Sequence, residues 1–255
     1  MERKIGIIID DKDVDQALES LKIISEQGFN AFFTMPVSKE YCHKMKERAD
    51  QLDIEYEFIH ATYQGINELW TSESTPKILL DLKDQIELCH EVGVNKLIVH
   101  LSSGNDAPMV NDIGFIRLDE IVEFAKSKNV LLVFENQRKL YNISCVLEKY
   151  KNGVGYCYDS GHENCFTQNV KFLDFWAEKV KCVHLHDNCG RKDKDEHLLP
   201  FDGTVDFDYV MKSLNRVNYS GSIMLEVFNS IYPSLNKREF FKKAYERAKK
   251  LTAIK

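Results

Sequence analysis

The stretch HLHDNCGRKDKDEH runs from His184 to His197 and begins at the end of the apolar run VKCVH. It holds three of the chain's eight histidines, together with three aspartates and one glutamate. A solvated acidic loop would explain the aspartates but not the histidines, whereas imidazoles and carboxylates together are common ligands of divalent metal ions. The stretch therefore predicts a metal site at the end of a strand, and the rest of the chain tests that prediction.

Short apolar runs of strand length alternate along the chain with longer segments of helical periodicity. Several of the runs lack polar alternation, which is typical of parallel strands covered on both faces. In the segment 13–27 apolar residues recur at helical spacing, and Gly28 follows as a C-cap signal. The predicted strands are residues 4–9, 30–35, 54–60, 96–101, 130–135, 154–159, 181–186 and 222–227. The other predicted helices are residues 76–92, 118–128, 160–180, 204–217 and 237–251.

Eight strands, mostly followed by helices, predict an α/β fold. In 255 residues this pattern favours a single (β/α)8 TIM barrel, and we expect one domain over residues 1–255. An open, doubly wound sheet is the alternative. It usually has fewer strands at this length, and no glycine-rich phosphate loop follows any predicted strand here.

The polar residues that end the predicted strands are the second feature of the pattern. In a (β/α)8 barrel the active site lies at the C-terminal ends of the strands. Of the eight histidines, only His43 and His90 fall in helical segments. Carboxylates buried at strand ends are costly unless they are paired or bound to a metal. The polar residues at or just after strand ends are His60, His100, Glu135, Asp159, His162, His184, His186 and Glu226.

Four of these residues come from four successive strands and form the predicted centre of a metal site. They are Glu135, Asp159, His184 and Glu226. Three carboxylates with one imidazole suit Mn, Co, Mg or Zn. A further set could extend the centre to a multinuclear cluster of up to three ions. That set is His60, His100, His162, Asp195 and His197.

Charge, cysteine content and apolar run length bear on the partners and the cellular compartment of the protein. The chain carries 34 basic and 40 acidic side chains, a formal net charge of −6, which weakly disfavours a surface for nucleic acid. Its seven cysteines are scattered without a C-x-x-C pair, so we expect reduced thiols and a cytoplasmic protein. No apolar run approaches the ~20 residues of a membrane span. The start of the chain is typical of a buried first strand rather than a signal peptide.

The chain carries an ordered set of motifs that is typical of one protein superfamily. The chain resembles the xylose-isomerase-like TIM barrel superfamily, which includes sugar phosphate isomerases, sugar 3-epimerases, inosose dehydratases and endonuclease IV (AP endonuclease family 2). As a set, the motifs are specific to the superfamily and much less specific to any one reaction. The matching motifs are HATYQGIN (60–67), VHLSSG (99–104), FEN (134–136), YDSGH (158–162), HLHDN (184–188), DEHLLPFDGTVDF (195–207) and LEV (225–227).

The resemblance to the epimerases implies a metal-dependent isomerase or epimerase of carbohydrate metabolism. Its substrate would be a small sugar, a sugar phosphate or a polyol, and one divalent ion, Zn or Mn, would sit on the four central residues. Glu135 and Glu226 would then be the catalytic pair that moves a proton on either side of the sugar. The residues expected to contact substrate are His162, His186, Arg191, Tyr63 and Trp70. For His186 the alternative is a place behind the metal ligands, and for Tyr63 and Trp70 it is packing within their loop. Asp187 is a candidate to orient a ligand histidine.

The resemblance to endonuclease IV leaves a second enzyme open. In that branch nine ligands hold three zinc ions that cleave a phosphodiester, and all nine positions carry a suitable residue here. Against this alternative, DNA cleavage needs a basic groove, and only the loop after residue 186 is basic. A barrel that binds a sugar or a metal without turnover is a third interpretation. Substrate, stereochemistry, metal identity and any homo-oligomeric state are not specified by the sequence.

Overall fold

The computed structural model describes residues 3–168 and 170–255 of the chain. Its eight parallel strands form one sheet, in the order β7-β6-β5-β4-β3-β2-β1-β8. The sheet closes between β7 and β8, where Leu185 donates its N–H to the carbonyl of Met224 at 2.8 Å. The predicted (β/α)8 barrel is confirmed. The strands are β1 (Ile5–Ile8), β2 (Ala31–Thr34), β3 (Glu55–His60), β4 (Lys96–Val99), β5 (Leu131–Glu135), β6 (Gly155–Asp159), β7 (Val180–His184) and β8 (Ile223–Leu225).

Helices follow the strands and cover the outside of the barrel. The α-helices of the described residues are α1 (Val14–Gln27), α2 (Lys39–Leu52), α3 (Glu68–Thr71), α4 (Lys77–Val92), α5 (Asp112–Ser127), α6 (Leu140–Tyr150), α7 (Ser160–Phe166), α8 (Leu173–Trp176), α9 (Phe207–Arg216) and α10 (Lys237–Thr252). Two short 3-10 turns, Ala177–Lys179 and Asn229–Ile231, complete the pattern. His43 lies in α2 and His90 in α4, as predicted.

Two helical predictions need correction. The predicted helix over 160–180 is divided into α7, α8 and a 3-10 turn. One cause is the side chain of Glu163, which accepts the N–H of Phe172 at 2.9 Å and holds the chain in a turn. The helix predicted from residue 118 begins six residues earlier, at Asp112, because Asn111 caps it by accepting the N–H of Gly114.

Helix ends follow local capping chemistry. At the start of α1, the side chain of Asp13 accepts the N–H of Gln16 at 3.0 Å. At its end, Gly28 has φ 98°, a left-handed conformation that glycine adopts without steric cost. A capping box formed by Asn236 and Glu239 starts α10. These caps fix the helices that support the barrel wall.

The barrel interior is apolar in its middle and polar at both ends. Phe33 and Phe58 pack inside it against the ring of His184, with ring centroids 4.9 and 5.5 Å away. At the N-terminal end, the ammonium of Lys96 donates to the buried carboxylate of Glu57 at 2.9 Å. The C-terminal end, above the aromatic layer, carries the candidate site.

None of the helices in the described part of the chain combines the length and the apolar character that a membrane span requires. The seven cysteines are free thiols, and most of them are buried.

Candidate active site

The four predicted central ligands meet at the C-terminal mouth of the barrel. Their ligand atoms all lie within 4.8 Å of one another. Nδ1 of His184 is 2.6 Å from Oε1 of Glu135 and 3.5 Å from Oε2 of Glu226. It is 4.0 Å from Oδ2 of Asp159. Three carboxylates and one imidazole thus converge in the way that the sequence predicts.

Strand register explains this convergence. The parallel strands β6 and β7 place Asp159 directly opposite His184, and Glu135 ends the neighbouring strand β5. The ring of His184 is completely buried against Phe33 and Phe58, so its orientation is fixed by packing. Its Nε2 is also buried and has no hydrogen-bond partner among the described residues. A buried set of anionic oxygens around an imidazole fits a divalent cation, because buried charge of one sign requires compensation.

A second group shares Glu135 with the first. Oε2 of Glu135 lies 2.6 Å from Nε2 of His100 and 3.6 Å from Nε2 of His60. The other ring nitrogen of His60 faces the carbonyl of Ala61 at 2.8 Å, which fixes the ring. Ligand atoms of His60, His100 and Glu135 lie close enough together to hold one cation. Glu135 therefore presents one oxygen to each of two groups.

A third group lies in the loop between β7 and α9. Its members are His186, Asp195 and His197. Oδ2 of Asp195 is 3.1 Å from Nε2 of His197 and 3.2 Å from Nε2 of His162. The rings of His186 and His197 stack with centroids 4.0 Å apart. Asp195 and His197 thus fold back over the mouth, and they join His162 to the rest of the cluster.

His186 is more enclosed than a residue that contacts substrate. Its side chain is completely buried, and its Nε2 lies 3.1 Å from the carboxylate of Asp159. Gly161 lies against the same ring: an added Cβ there would be 1.9 Å from Cε1 of His186. The structure therefore places His186 behind Asp159, where it supports that carboxylate instead of lining the mouth.

Opposite charges shift the pKa values in the cluster. Burial opposes ionisation of Glu135, but nearby His184 and His100 hold the pKa of its carboxyl well below the usual value. For His184, burial alone would lower the pKa, whereas Glu226 and Glu135 raise it to about 9. The pKa of His162 is also raised, by Asp159 and Asp195 against the effect of burial. For His100 burial dominates, and its pKa is lowered despite Glu135.

Two predicted substrate contacts, Tyr63 and Trp70, have different surroundings. The ring of Tyr63 stacks on His100 at 4.7 Å and is 38% exposed, so Tyr63 borders the mouth. Trp70 is 1% exposed, and its indole N–H donates to the carbonyl of Leu101. Because this indole is enclosed in the core, the structure assigns Trp70 to packing and corrects the predicted substrate contact.

The structure also changes the predicted roles of two polar residues in the loop after β7. The side chain of Arg191 is 64% exposed, and its guanidinium pairs with Glu196 at 2.5 Å, which leaves it outside the buried cluster. The carboxylate of Asp187 accepts backbone N–H groups of Asn188, Gly203 and Val205, each at 2.9 Å. Asp187 thus shapes the loop and does not orient a ligand histidine.

Sequence reasoning missed three polar residues around the site. Gln137 places its amide among Glu135, His100 and His162. Asn136 bonds both backbone groups of Asp159 and so joins β5 to β6. Arg117, in the first half of α5, donates to four backbone carbonyls in and after α3. The spacing of Gln137, two residues after Glu135, was the one available signal, because alternate residues of an extended chain share a face.

Comparisons by sequence place the chain among known proteins. A family model described as a xylose isomerase-like TIM barrel matches residues 21–251. The uncharacterized protein y4fM of Sinorhizobium fredii is 27% identical over 71% of this chain, and the match spans 61% of the length of y4fM. The uncharacterized protein MJ1311 of Methanocaldococcus jannaschii is 26% identical over 89% of this chain and 84% of that protein.

Comparisons of structure give the same fold. A D-psicose 3-epimerase from Clostridium cellulolyticum H10, solved with D-tagatose, has a TM-score of 0.78 at 13% identity, over 98% of this chain and 99% of that one. The 3-keto-D-glucoside 4-epimerase YcjR from E. coli has a TM-score of 0.75 at 15% identity, over 97% and 99% of the two chains. These low identities show the fold alone. The family match extends over most of the sequence, and the chain belongs to the xylose isomerase-like TIM barrel family.

Proposed function

We propose that this protein is a metal-dependent epimerase or isomerase of a small sugar that carries a carbonyl group. The observation that carries the proposal is the convergence of Glu135, Asp159, His184 and Glu226 within 4.8 Å. These residues would hold one divalent cation, Zn or Mn. When bound, the cation would act as a Lewis acid that polarises the substrate carbonyl.

The two glutamates provide the proposed proton transfer. Glu135 and Glu226 stand at the ends of β5 and β8, with β6 and β7 between them, so their carboxylates approach the centre from different directions. One glutamate removes the proton from the carbon next to the carbonyl, and the electron pair moves toward the carbonyl oxygen to give an enediolate. The other glutamate returns a proton to the opposite face of that carbon or to its neighbour. The composition of the sugar is unchanged, so no oxidant or reductant is required.

Other residues of the mouth would bind and enclose the sugar. Tyr63, stacked on His100 and partly exposed, offers an apolar face to one side of a pyranose or an open-chain sugar. His162, which lies 3.2 Å from Asp195, would hold a substrate oxygen. The loop segment that carries Asp195 and His197 would exclude water from the enediolate. The epimerases with the same fold act on sugars by their printed names, which favours this class of reaction.

Deuterium uptake from solvent tests the proposed chemistry directly. A panel of keto sugars in D2O, with Mn²⁺ or Zn²⁺ added to chelator-treated protein, should yield product labelled at the carbon next to the carbonyl. Label should be lost with Glu226→Gln and retained with Glu196→Gln, because Glu196 lies in the β7–α9 loop and pairs with Arg191 outside the cluster. Turnover of a sugar without deuterium uptake would contradict proton transfer through the glutamates.

One observation favours a second candidate, a trinuclear zinc phosphodiesterase resembling endonuclease IV. The second and third groups of ligand atoms, and not only the central one, each lie close enough together to hold a cation. Cleavage of a fluorescent duplex with an abasic site, only in the presence of zinc, would establish this activity. The formal net charge of −6 and the pairing of Arg191 with Glu196 count against a DNA-binding groove, which is why the epimerase is placed first.

A further inference from the structure

The side chain of Gln137 lies inside the cluster, although neither the central ligands nor the proposed proton transfer use it. Gln137 follows β5 by two residues and is 9% exposed. Its Nε2 is 3.2 Å from Oε2 of Glu135, 3.2 Å from Nε2 of His100 and 3.1 Å from Nδ1 of His162. One amide group therefore contacts three residues that the sequence predicts as metal ligands.

The chemistry of the amide decides what this contact does. An amide NH2 group has two hydrogens to donate and no lone pair to offer a cation. It therefore donates to Oε2 of Glu135, and its second hydrogen is accepted by a ring nitrogen of His100 or His162 only in the tautomer that leaves that nitrogen unprotonated. A lone pair that accepts a hydrogen bond from Gln137 is not available to a metal ion. The amide and a second cation thus compete for the same atoms.

The position of Gln137 makes this competition specific. The central group uses Oε1 of Glu135, which faces His184, whereas Gln137 contacts Oε2, the oxygen that faces His100. The hydrogen bond from the amide would hold Glu135 in place for the central cation, as partners of ligating carboxylates commonly do. The same bond opposes a cation in the second group.

We propose that Gln137 is a specificity-determining residue that restricts this protein to one tightly bound cation. The inference rests on the proposed function, since it concerns the same metal centre. In this proposal a single side chain decides whether the centre holds one metal ion, as in an epimerase, or several, as in a multinuclear enzyme. With Gln137 in place, His100 and His162 remain free of metal and face the substrate side of the centre.

Zinc binding tests this proposal without any measurement of activity. Chelator-treated protein is titrated with ZnCl2 in a calorimeter, and bound zinc per chain is counted by elemental analysis after dialysis. The variants are Gln137→Ala, which removes the donor, and Gln137→Glu, which keeps the shape and replaces the donor by a ligand. Gln85→Ala is the matched control: Gln85 is also a buried glutamine, and among the residues that the structure describes its amide bonds Thr62 alone.

We expect one zinc ion per chain in the native protein and in Gln85→Ala. We expect two in each Gln137 variant, with the second ion bound at least about tenfold more tightly than in the native protein. Unchanged stoichiometry and affinity in both Gln137 variants would overturn the inference, as would two or more tight ions in the native protein. The expected zinc counts without turnover of any sugar would support the inference and count against the proposed function alone.

Discussion

Nδ1 of His184, at the end of β7, lies 2.6 Å from Oε1 of Glu135, at the end of β5. The other oxygen of Glu135 lies 2.6 Å from Nε2 of His100. A single carboxylate, 1% exposed, thus connects the central group to the second group. Glu135 is therefore the residue on which both the number of cations and the proposed proton transfer depend.

Replacing Glu226 by glutamine should abolish most of the turnover without unfolding the protein. The amide keeps the shape of the side chain but cannot accept a proton, and general acid–base catalysis contributes about 10²- to 10⁴-fold. We expect kcat on the responsive sugar to fall by about that factor. Thermal unfolding should change little, because glutamine has the size of glutamate and removes one of three clustered, buried negative charges. Normal turnover by Glu226→Gln would rule out its role in proton transfer.

Cation binding should release protons and become tighter as the pH rises. Burial alone would lower the pKa of His184, but Glu226 and Glu135 raise it to about 9, so the imidazole is protonated at neutral pH before a cation binds. A protonated imidazole cannot be a ligand, so the apparent affinity should rise about tenfold per pH unit from neutral pH until about pH 9. Calorimetric titrations of Mn²⁺ in buffers of different ionisation enthalpy measure the released protons. An affinity that does not change between pH 7 and pH 9 would exclude His184 as a ligand.

Gly161→Ala should destabilise the site through His186. The new methyl group would meet Cε1 of His186 at 1.9 Å, and the buried ring cannot move without disturbing its contacts with Asp159 and His197. We expect a loss of about 1–3 kcal/mol in the free energy of unfolding, measured with guanidinium chloride. Gly153→Ala is the control, since its methyl group would meet one backbone carbonyl at 3.2 Å. Equal effects of the two substitutions would show that His186 does not require a glycine at residue 161.

Arg117→Ala should loosen the segment that follows β3. The guanidinium of Arg117 donates to the carbonyls of Glu68, Leu69, Ser72 and Ser74 at 2.7 to 2.9 Å, and it is 8% exposed. One buried and three partly buried carbonyls would lose their donor, so we expect a loss of about 3 kcal/mol in the free energy of unfolding.

A second variant tests whether the planar shape of the guanidinium or its charge stabilises this segment, and a third serves as a control. Arg117→Lys should recover little, because a single ammonium cannot reach both carbonyl pairs in the way that the planar guanidinium does. Arg48→Ala is the control, since Arg48 is half-buried on α2 and, within the described part of the chain, its guanidinium bonds Gln51 alone. If Arg117→Ala unfolded at the same guanidinium concentration as Arg48→Ala, the four hydrogen bonds would contribute nothing to stability.

The strand pattern was predictable because parallel strands that are buried on both faces appear in the sequence as short, nearly continuous apolar runs. Each predicted apolar run overlaps an observed strand, although β7 begins one residue before its run, and Glu135 and Asp159 end their strands as expected. The helix at α1 was predictable from its periodicity and from Gly28. The division of the segment 160–180 into two helices and a 3-10 turn was not predictable. It depends on the N–H of Phe172, which donates to the side chain of Glu163, and no local sequence pattern relates these two residues.

The candidate site was predictable in its residue types but not in all its contacts. Strand ends of a barrel converge, so Glu135, His184 and Glu226 could be grouped before any distance was known. The enclosure of Trp70 and the contact of His186 with Asp159 depend on how loops pack, which neither spacing nor composition records. Gln137 was missed for the same reason, since a glutamine becomes informative only when its neighbours in space are known.

The metal content of the purified protein tests the central claim most directly. Protein purified gently, without chelators, should contain about one Mn or Zn ion per chain by elemental analysis. The ion should be lost when Glu135, Asp159, His184 or Glu226 is replaced by alanine, and retained with the control Glu196→Ala. No bound metal, or the same metal content in all four variants, would contradict the proposed centre. Three zinc ions per chain would contradict the one-metal epimerase and place phosphodiester cleavage first.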